Sequence, residues 1–76
     1  MNRSYITNAL EAIIEDVIGS AIKLPFSNEL EAFFEPDEFA AFRDMVADEF
    51  NLPNHSIADT AETFRELVIL LEDELF

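Results

Sequence analysis

Apolar residues recur along most of this chain at intervals of three and four, the period of an α-helix. Between Glu35 and Phe50, Phe39, Phe42, Val46 and Phe50 share one face, while Asp44, Asp48 and Glu49 stay off it. Pro36 is pre-set for the first turn of that helix. The pattern predicts a helix from Pro36 to Phe50 with an aromatic inner face and an acidic outer one. Ile6, Leu10, Ile13, Ile14, Val17 and Ile18 predict a helix from about Tyr5 to Gly19, with Glu11, Glu15 and Asp16 opposite. Ser4 reads as its N-cap, because a hydroxyl there can accept an orphan amide of the first turn. Gly19 ends the regular stretch, although Ala21 and Ile22 could extend it. Phe64, Leu67, Val68, Leu71 and Leu75 predict a last helix from about Thr60, with a capping box from Asp59 to Glu62.

The connections carry their own signals. Lys23-Leu24-Pro25-Phe26 reads as a loop, since the proline keeps Leu24 out of the α region. Its apolar residues imply that it packs down on the core. Ser27 or Asn28 then caps a short helix, Asn28 standing at capping-box distance from Glu31, with Leu30, Phe33 and Phe34 inward. Asn51-Leu52-Pro53-Asn54-His55 breaks the next helix, with Leu52 as buried anchor and a single turn over Ser56–Asp59. Ile69 and Leu70 either widen the buried face of the last helix or form an exposed patch that would mark an interface or a weak homodimer. No stretch alternates long enough to be a strand. The expected fold is all-α, a small bundle of three to four helices forming one acidic helical domain over residues 1–76.

Composition sharpens this reading. A chain of 76 residues supports one core, and a hydrophobic content of 50% sets it apart from a disordered acidic tail. The absence of cysteine removes disulfide and thiolate chemistry, and with one histidine a structural zinc site is not expected. Seventeen acidic residues against four basic ones give a net charge of −13, spread along the whole chain. That balance disfavours direct contact with nucleic acid phosphates or anionic membranes. It favours a basic protein surface as partner, or serves solubility alone. The start, MNRSYITNALEAII, lacks the apolar core of a signal peptide, and no run is long enough to span a bilayer. A cytoplasmic location is therefore the expectation.

No residue pattern announces catalysis. Glu35, Asp37 and Glu38 gather at a helix N-terminus, where the dipole favours their charge and capping is the simplest role. A divalent metal on this trio, or on Asp44 and Asp48, would lack calcium-loop spacing. His55 beside Ser56 has no third orienting residue. Arg43 and Arg65 sit among acids, where pairs on a helix surface contribute only tenths of a kcal/mol, roughly. The eight phenylalanines fall at helical spacing and read as core, though such a bundle could leave an apolar cleft. No enzyme activity, cofactor or metal is expected. The candidate partner-binding residues are Glu35, Asp37, Glu38, Asp44, Asp48 and Glu49.

Three segments resemble the acyl carrier protein family, together spanning nearly the whole chain. ALEAIIEDVIG (Ala9–Gly19) is similar to the family's first helix, FRDMVADEFNLP (Phe42–Pro53) to its second helix and exit, and TAETFRELVILLEDEL (Thr60–Leu75) to its last. The resemblance implies a carrier-protein-like bundle whose acidic second helix docks on basic patches of partner enzymes, a role that would fall to Asp44, Asp48 and Glu49. In the family an Asp-Ser-Leu motif opens that helix, and its serine carries phosphopantetheine. Here Glu35-Pro36-Asp37-Glu38-Phe39 occupies the place, with Pro36 or Glu38 at the serine's position and no hydroxyl to modify.

Three functional expectations follow. The first is a non-catalytic, carrier-like interaction module that docks on a basic partner. The second is an inhibitor that mimics nucleic acid toward a DNA- or RNA-binding protein. The third is a carrier modified at an off-motif serine, Ser27 or Ser56.

Overall fold

The computed structural model describes residues 2–51 and 61–75. The expected anchor Leu52, the turn over Ser56–Asp59, the cap Asp59, and His55 and Ser56 lie outside the described residues. The chain forms a small compact all-α bundle, measuring 29 × 23 × 20 Å along its principal axes. Among the described residues its helices are α1 (Asn2–Ile18), α2 (Leu30–Phe33), α3 (Pro36–Glu49) and α4 (Phe64–Leu75). α1 packs against both α3 and α4. Tyr5, near the start of α1, meets Phe50, just past the end of α3, edge-to-face at 6.0 Å, so the two helices run antiparallel.

α1 starts earlier than the hydroxyl signal suggested. Its first residue is Asn2, which places Ser4 inside the helix with its side chain exposed rather than at the cap. Its end follows the sequence. Gly19 takes φ +81° and its amide donates to the Glu15 carbonyl at 2.8 Å, the left-handed stop that only glycine adopts without strain. α3 stops in the same way one residue type poorer, with Asn51 at φ 55°. Asparagine is the usual second choice for this conformation.

The core is aliphatic toward α1 and aromatic toward α2. Ile6, Leu10, Ile13 and Ile14 are buried on α1, with Leu67, Val68 and Leu71 on α4. Phe42 and Phe64 are fully buried, and their rings stand 5.9 Å apart at a steep angle. Phe34 sits 4.8 Å from Phe42, and Phe33 meets Phe64 edge-on at 5.4 Å. These offset and edge-to-face contacts are the geometry that aromatic quadrupoles favour. Of the four residues expected inside α3, Phe42, Val46 and Phe50 are buried, while Phe39 is only half-buried. The Arg43 guanidinium lies over the Phe39 ring, 4.9 Å from its centroid, so a cation covers what the core does not.

The loop after α1 packs inward as expected. Leu24 is buried, and its amide donates to Glu11 Oε2 at 2.8 Å, tying the loop back to α1. The Phe26 amide donates to the Leu24 carbonyl at 3.0 Å across Pro25, whose fixed φ suits a tight turn.

Two capping expectations are corrected. Asn28 does not cap α2; Glu29 holds the N-cap position in extended conformation, without a side-chain cap. α4 begins at Phe64, not near Thr60, because the preceding backbone is engaged elsewhere. Glu29 and Thr63 form an antiparallel bridge, and the Glu62 carbonyl accepts the Leu30 amide at 2.9 Å. The cap of α4 is Thr63, whose Oγ1 accepts the Glu66 amide at 3.2 Å. The Phe64 and Arg65 amides donate to the carbonyls of Asn28 at 3.2 Å and Phe26 at 3.1 Å. The first turn of α4 is thus satisfied largely by the loop before α2.

Candidate acidic docking face

The outer face of α3 follows from its inner one. With 3.6 residues per turn, the faces opposite Phe42 and Val46 carry Asp37, Ala41, Asp44 and Asp48, each one turn from the last. All four are exposed. The helix dipole favours Asp37 in the first turn, but helix stability does not call for Asp44 and Asp48, since any good helix former would serve on an exposed face. The stripe runs the length of the helix and presents carboxylates at three of its four turns, Ala41 taking the other.

The six residues singled out from sequence therefore divide. Asp37, Asp44 and Asp48 form the stripe. Glu35 is exposed at the N-cap of α3. Glu38 is half-buried and turned to a local task, its Oε1 accepting the Glu35 amide at 3.0 Å. That bond is the returning half of a capping box and satisfies one of the helix's orphan donors. Glu49 lies on the flank facing α1, where Tyr5 Oη donates to its Oε2 at a long 3.5 Å.

Beside the stripe, α1 and α3 leave a shallow groove. Ala9, Ala12, Ile13 and Met45 floor it, and Asp16, Asp48 and Glu49 stand around it. Small side chains on α1 create the space. An apolar floor under three carboxylates suits the stem and the head of a lysine or arginine, which buries methylenes while keeping its cation at the rim. Asp16 was assigned to an outer face by its spacing, but its meeting with α3 depends on the antiparallel packing of two helices.

A second group of acids went unnoticed in the sequence. Glu29, Glu31 and Glu62 surround a cleft that reaches Phe39 and Ala61. Glu31 follows Glu29 by two positions, but nothing local could bring Glu62 to them. The backbone bridge between Glu29 and Thr63 does so. Arg43 on Phe39 did carry a local signal, the i, i+4 spacing that puts two side chains on one face.

Ser27 is exposed in the turn before α2. Among the described residues no group of three or more His, Asp or Glu side chains is gathered as a metal ion requires. Among the same residues no helix is long and apolar enough to cross a membrane. Each long helix also ends on acids without a basic residue in its last turn: Glu15 and Asp16 on α1, Asp48 and Glu49 on α3, and Glu72, Asp73 and Glu74 on α4. The helix dipole disfavours negative charge at that end.

Scans of protein-family models, curated proteins and solved structures find no match to this chain.

Proposed function

We propose that this chain is a non-catalytic interaction module, built like an acyl carrier protein, that docks the acidic face of α3 on a basic surface of another protein. The observation that carries the reading is the exposed line Asp37–Asp44–Asp48 directly opposite the buried Phe42 and Val46. The net charge of −13 extends its reach, because a summed field steers a basic partner before contact. The carrier-like build is supported by the order of elements: a long first helix, a long packed connection, an acidic helix and a last helix. The start of α3 supports a role without a prosthetic arm. Pro36 is in the first turn and the Glu38 carboxylate is engaged with the Glu35 amide, so no hydroxyl stands where the family bears one.

The test is affinity capture from the native cell with two baits, the wild-type chain and Asp37→Lys/Asp44→Lys/Asp48→Lys. A basic protein held by the first and lost from the second supports the proposal. Equal capture by both baits contradicts it. If the captured protein binds DNA or RNA, and nucleic acid competes for it, the mimic reading takes over. An intact mass increased by a phosphopantetheine group after exposure to a transferase would instead support a carrier using Ser27 or Ser56.

A further inference from the structure

Among the described residues two large hydrophobic side chains stand out in solvent, Tyr5 at 51% and Ile69 at 48%. Ile69 sits on α4 beside Leu70, which packs against the core. Tyr5 stands in a different setting. On α1 it shares one face with Ala9, Ala12 and Asp16, at i+4, i+7 and i+11. That face flanks the groove against α3, whose floor is Ala9, Ala12, Ile13 and Met45. Tyr5 Oη donates to Glu49 Oε2 at 3.5 Å, and Glu49 stands at the rim with Asp16 and Asp48. An aromatic ring thus adjoins an apolar floor edged by carboxylates from both helices.

The groove holds about 260 Å³, room for one long side chain rather than for a helix about 10–12 Å across. Among the described residues every ionisable side chain lining it is a carboxylate. The one basic residue of α3, Arg43, stands two positions before Met45, about 200° around the helix, and lies over Phe39. The groove therefore complements an apolar stem with a cationic head. A guanidinium suits it better than an ammonium. Its five donors can reach carboxylates on α1 and α3 together, and its plane stacks on an aromatic ring such as that of Tyr5. It is also more weakly hydrated, so leaving water above an apolar floor costs it less. We infer that the basic partner places one arginine in this groove, its methylenes over Ala9 and Ala12 and its guanidinium among Asp16, Asp48 and Glu49. This arginine site rests on the docking role proposed for α3 and adds α1 to it: the stripe steers, and the groove anchors.

The probe is N-acetylarginine amide, titrated at constant ionic strength into the full chain and followed by NMR at the methyls of Met45 and Ile13. Saturable shifts are expected there, with half-saturation on the order of 1–10 mM, the range of a weak contact. N-acetyllysine amide is expected to bind at least threefold more weakly, and the neutral citrulline analogue not to saturate. Ala12→Leu fills the floor, keeps every charge and places a good helix former on α1. It is expected to weaken the arginine response at least tenfold while its unfolding midpoint stays at or above wild type. Asp16→Asn/Glu49→Gln is expected to weaken it as much. Asp73→Asn/Glu74→Gln removes the same charge from α4, away from the groove lining, and should leave it within twofold. Equal weakening by the two charge pairs would show a diffuse field and overturn the site. So would an unchanged response in Ala12→Leu, or a citrulline or lysine response equal to that of arginine. Ala12→Leu as a third capture bait separates this site from the docking stripe. Loss of the basic protein from that bait supports the anchor. Its retention there, with loss from Asp37→Lys/Asp44→Lys/Asp48→Lys, overturns the arginine site and leaves the stripe standing. Equal capture by all three baits overturns both.

Discussion

Helices α3 and α4 begin in opposite ways. α3 is prepared by its own sequence: Pro36 fixes the first turn, and Glu38 returns to the Glu35 amide three residues back. α4 takes its local cap from Thr63, but the amides of Phe64 and Arg65 are satisfied by carbonyls of Asn28 and Phe26, more than thirty positions earlier. A helix prepared locally finds its first-turn partners within its own few residues. A helix whose first turn needs a distant loop is complete only when the loop has docked. The locally prepared helix is also the one whose outer face carries Asp37, Asp44 and Asp48.

The largest effect should come from the residue at that tertiary junction. Phe64 is fully buried among Phe33, Phe34 and Phe42. Phe64→Ala is expected to destabilise by about 3–5 kcal/mol, much of what a domain this small has. Phe39→Ala, at the half-buried start of α3, should cost only about 1 kcal/mol of lost burial and cation–π contact. Urea unfolding of both variants gives the contrast, and equal losses would erase the distinction between the two helix starts.

The caps sharpen the contrast at smaller scale. Thr63→Ala is expected to lower stability by about 1 kcal/mol, the usual loss of a hydroxyl N-cap. Glu38→Ala should lose less, roughly 0.5 kcal/mol, because Pro36 still sets the first turn. Native-state hydrogen exchange offers a direct reading. The Phe64 and Arg65 amides should be protected like core amides although they open a helix, and rapid exchange there would mean that the loop does not hold them.

The helix ends give a parallel test. Gly19→Ala should cost about 1 kcal/mol through its left-handed φ alone, since added methyl atoms would meet nothing within 4 Å. Asn51→Gly should change stability by no more than a few tenths of a kcal/mol, roughly, and in the favourable direction. Thermal unfolding separates these outcomes. Charge at the helix ends has an effect of similar size. Acids in the last turns of α1, α3 and α4 should make stability rise with salt, by about 0.3–1 kcal/mol per helix end between low and moderate ionic strength. A melting temperature that falls with salt would show that those acids are locally paired.

What sequence could and could not reveal follows the same division. The α3 helix was legible because its punctuation, face and end lie within sixteen residues: Pro36, the Phe42/Val46/Phe50 spacing and Asn51. The all-α class was legible from the same period on α1 and α4. The start of α4 was misplaced because Asp59–Glu62 and Thr63–Glu66 have equivalent capping spacing, and only the bridge from Glu29 to Thr63 decides between them. Asn28 was misassigned for a related reason, as its carbonyl is committed to Phe64. The candidate site was legible in residue type but not in grouping. The period places Asp37, Asp44 and Asp48 together, while the turning of Glu49 toward Tyr5 and the arrival of Asp16 at the groove beside α3 depend on helix packing.

The docking role proposed for the acidic face of α3 is most directly tested by the association rate of this chain with any basic protein that affinity capture yields, measured across ionic strength for wild type and for Asp37→Asn/Asp44→Asn/Asp48→Asn. The predicted result is association at least tenfold slower for the variant at low salt, with the two rates converging as salt rises, while the variant's unfolding midpoint stays close to wild type. Equal rates and equal salt slopes would show that the stripe is solvated surface and takes no part in recognition.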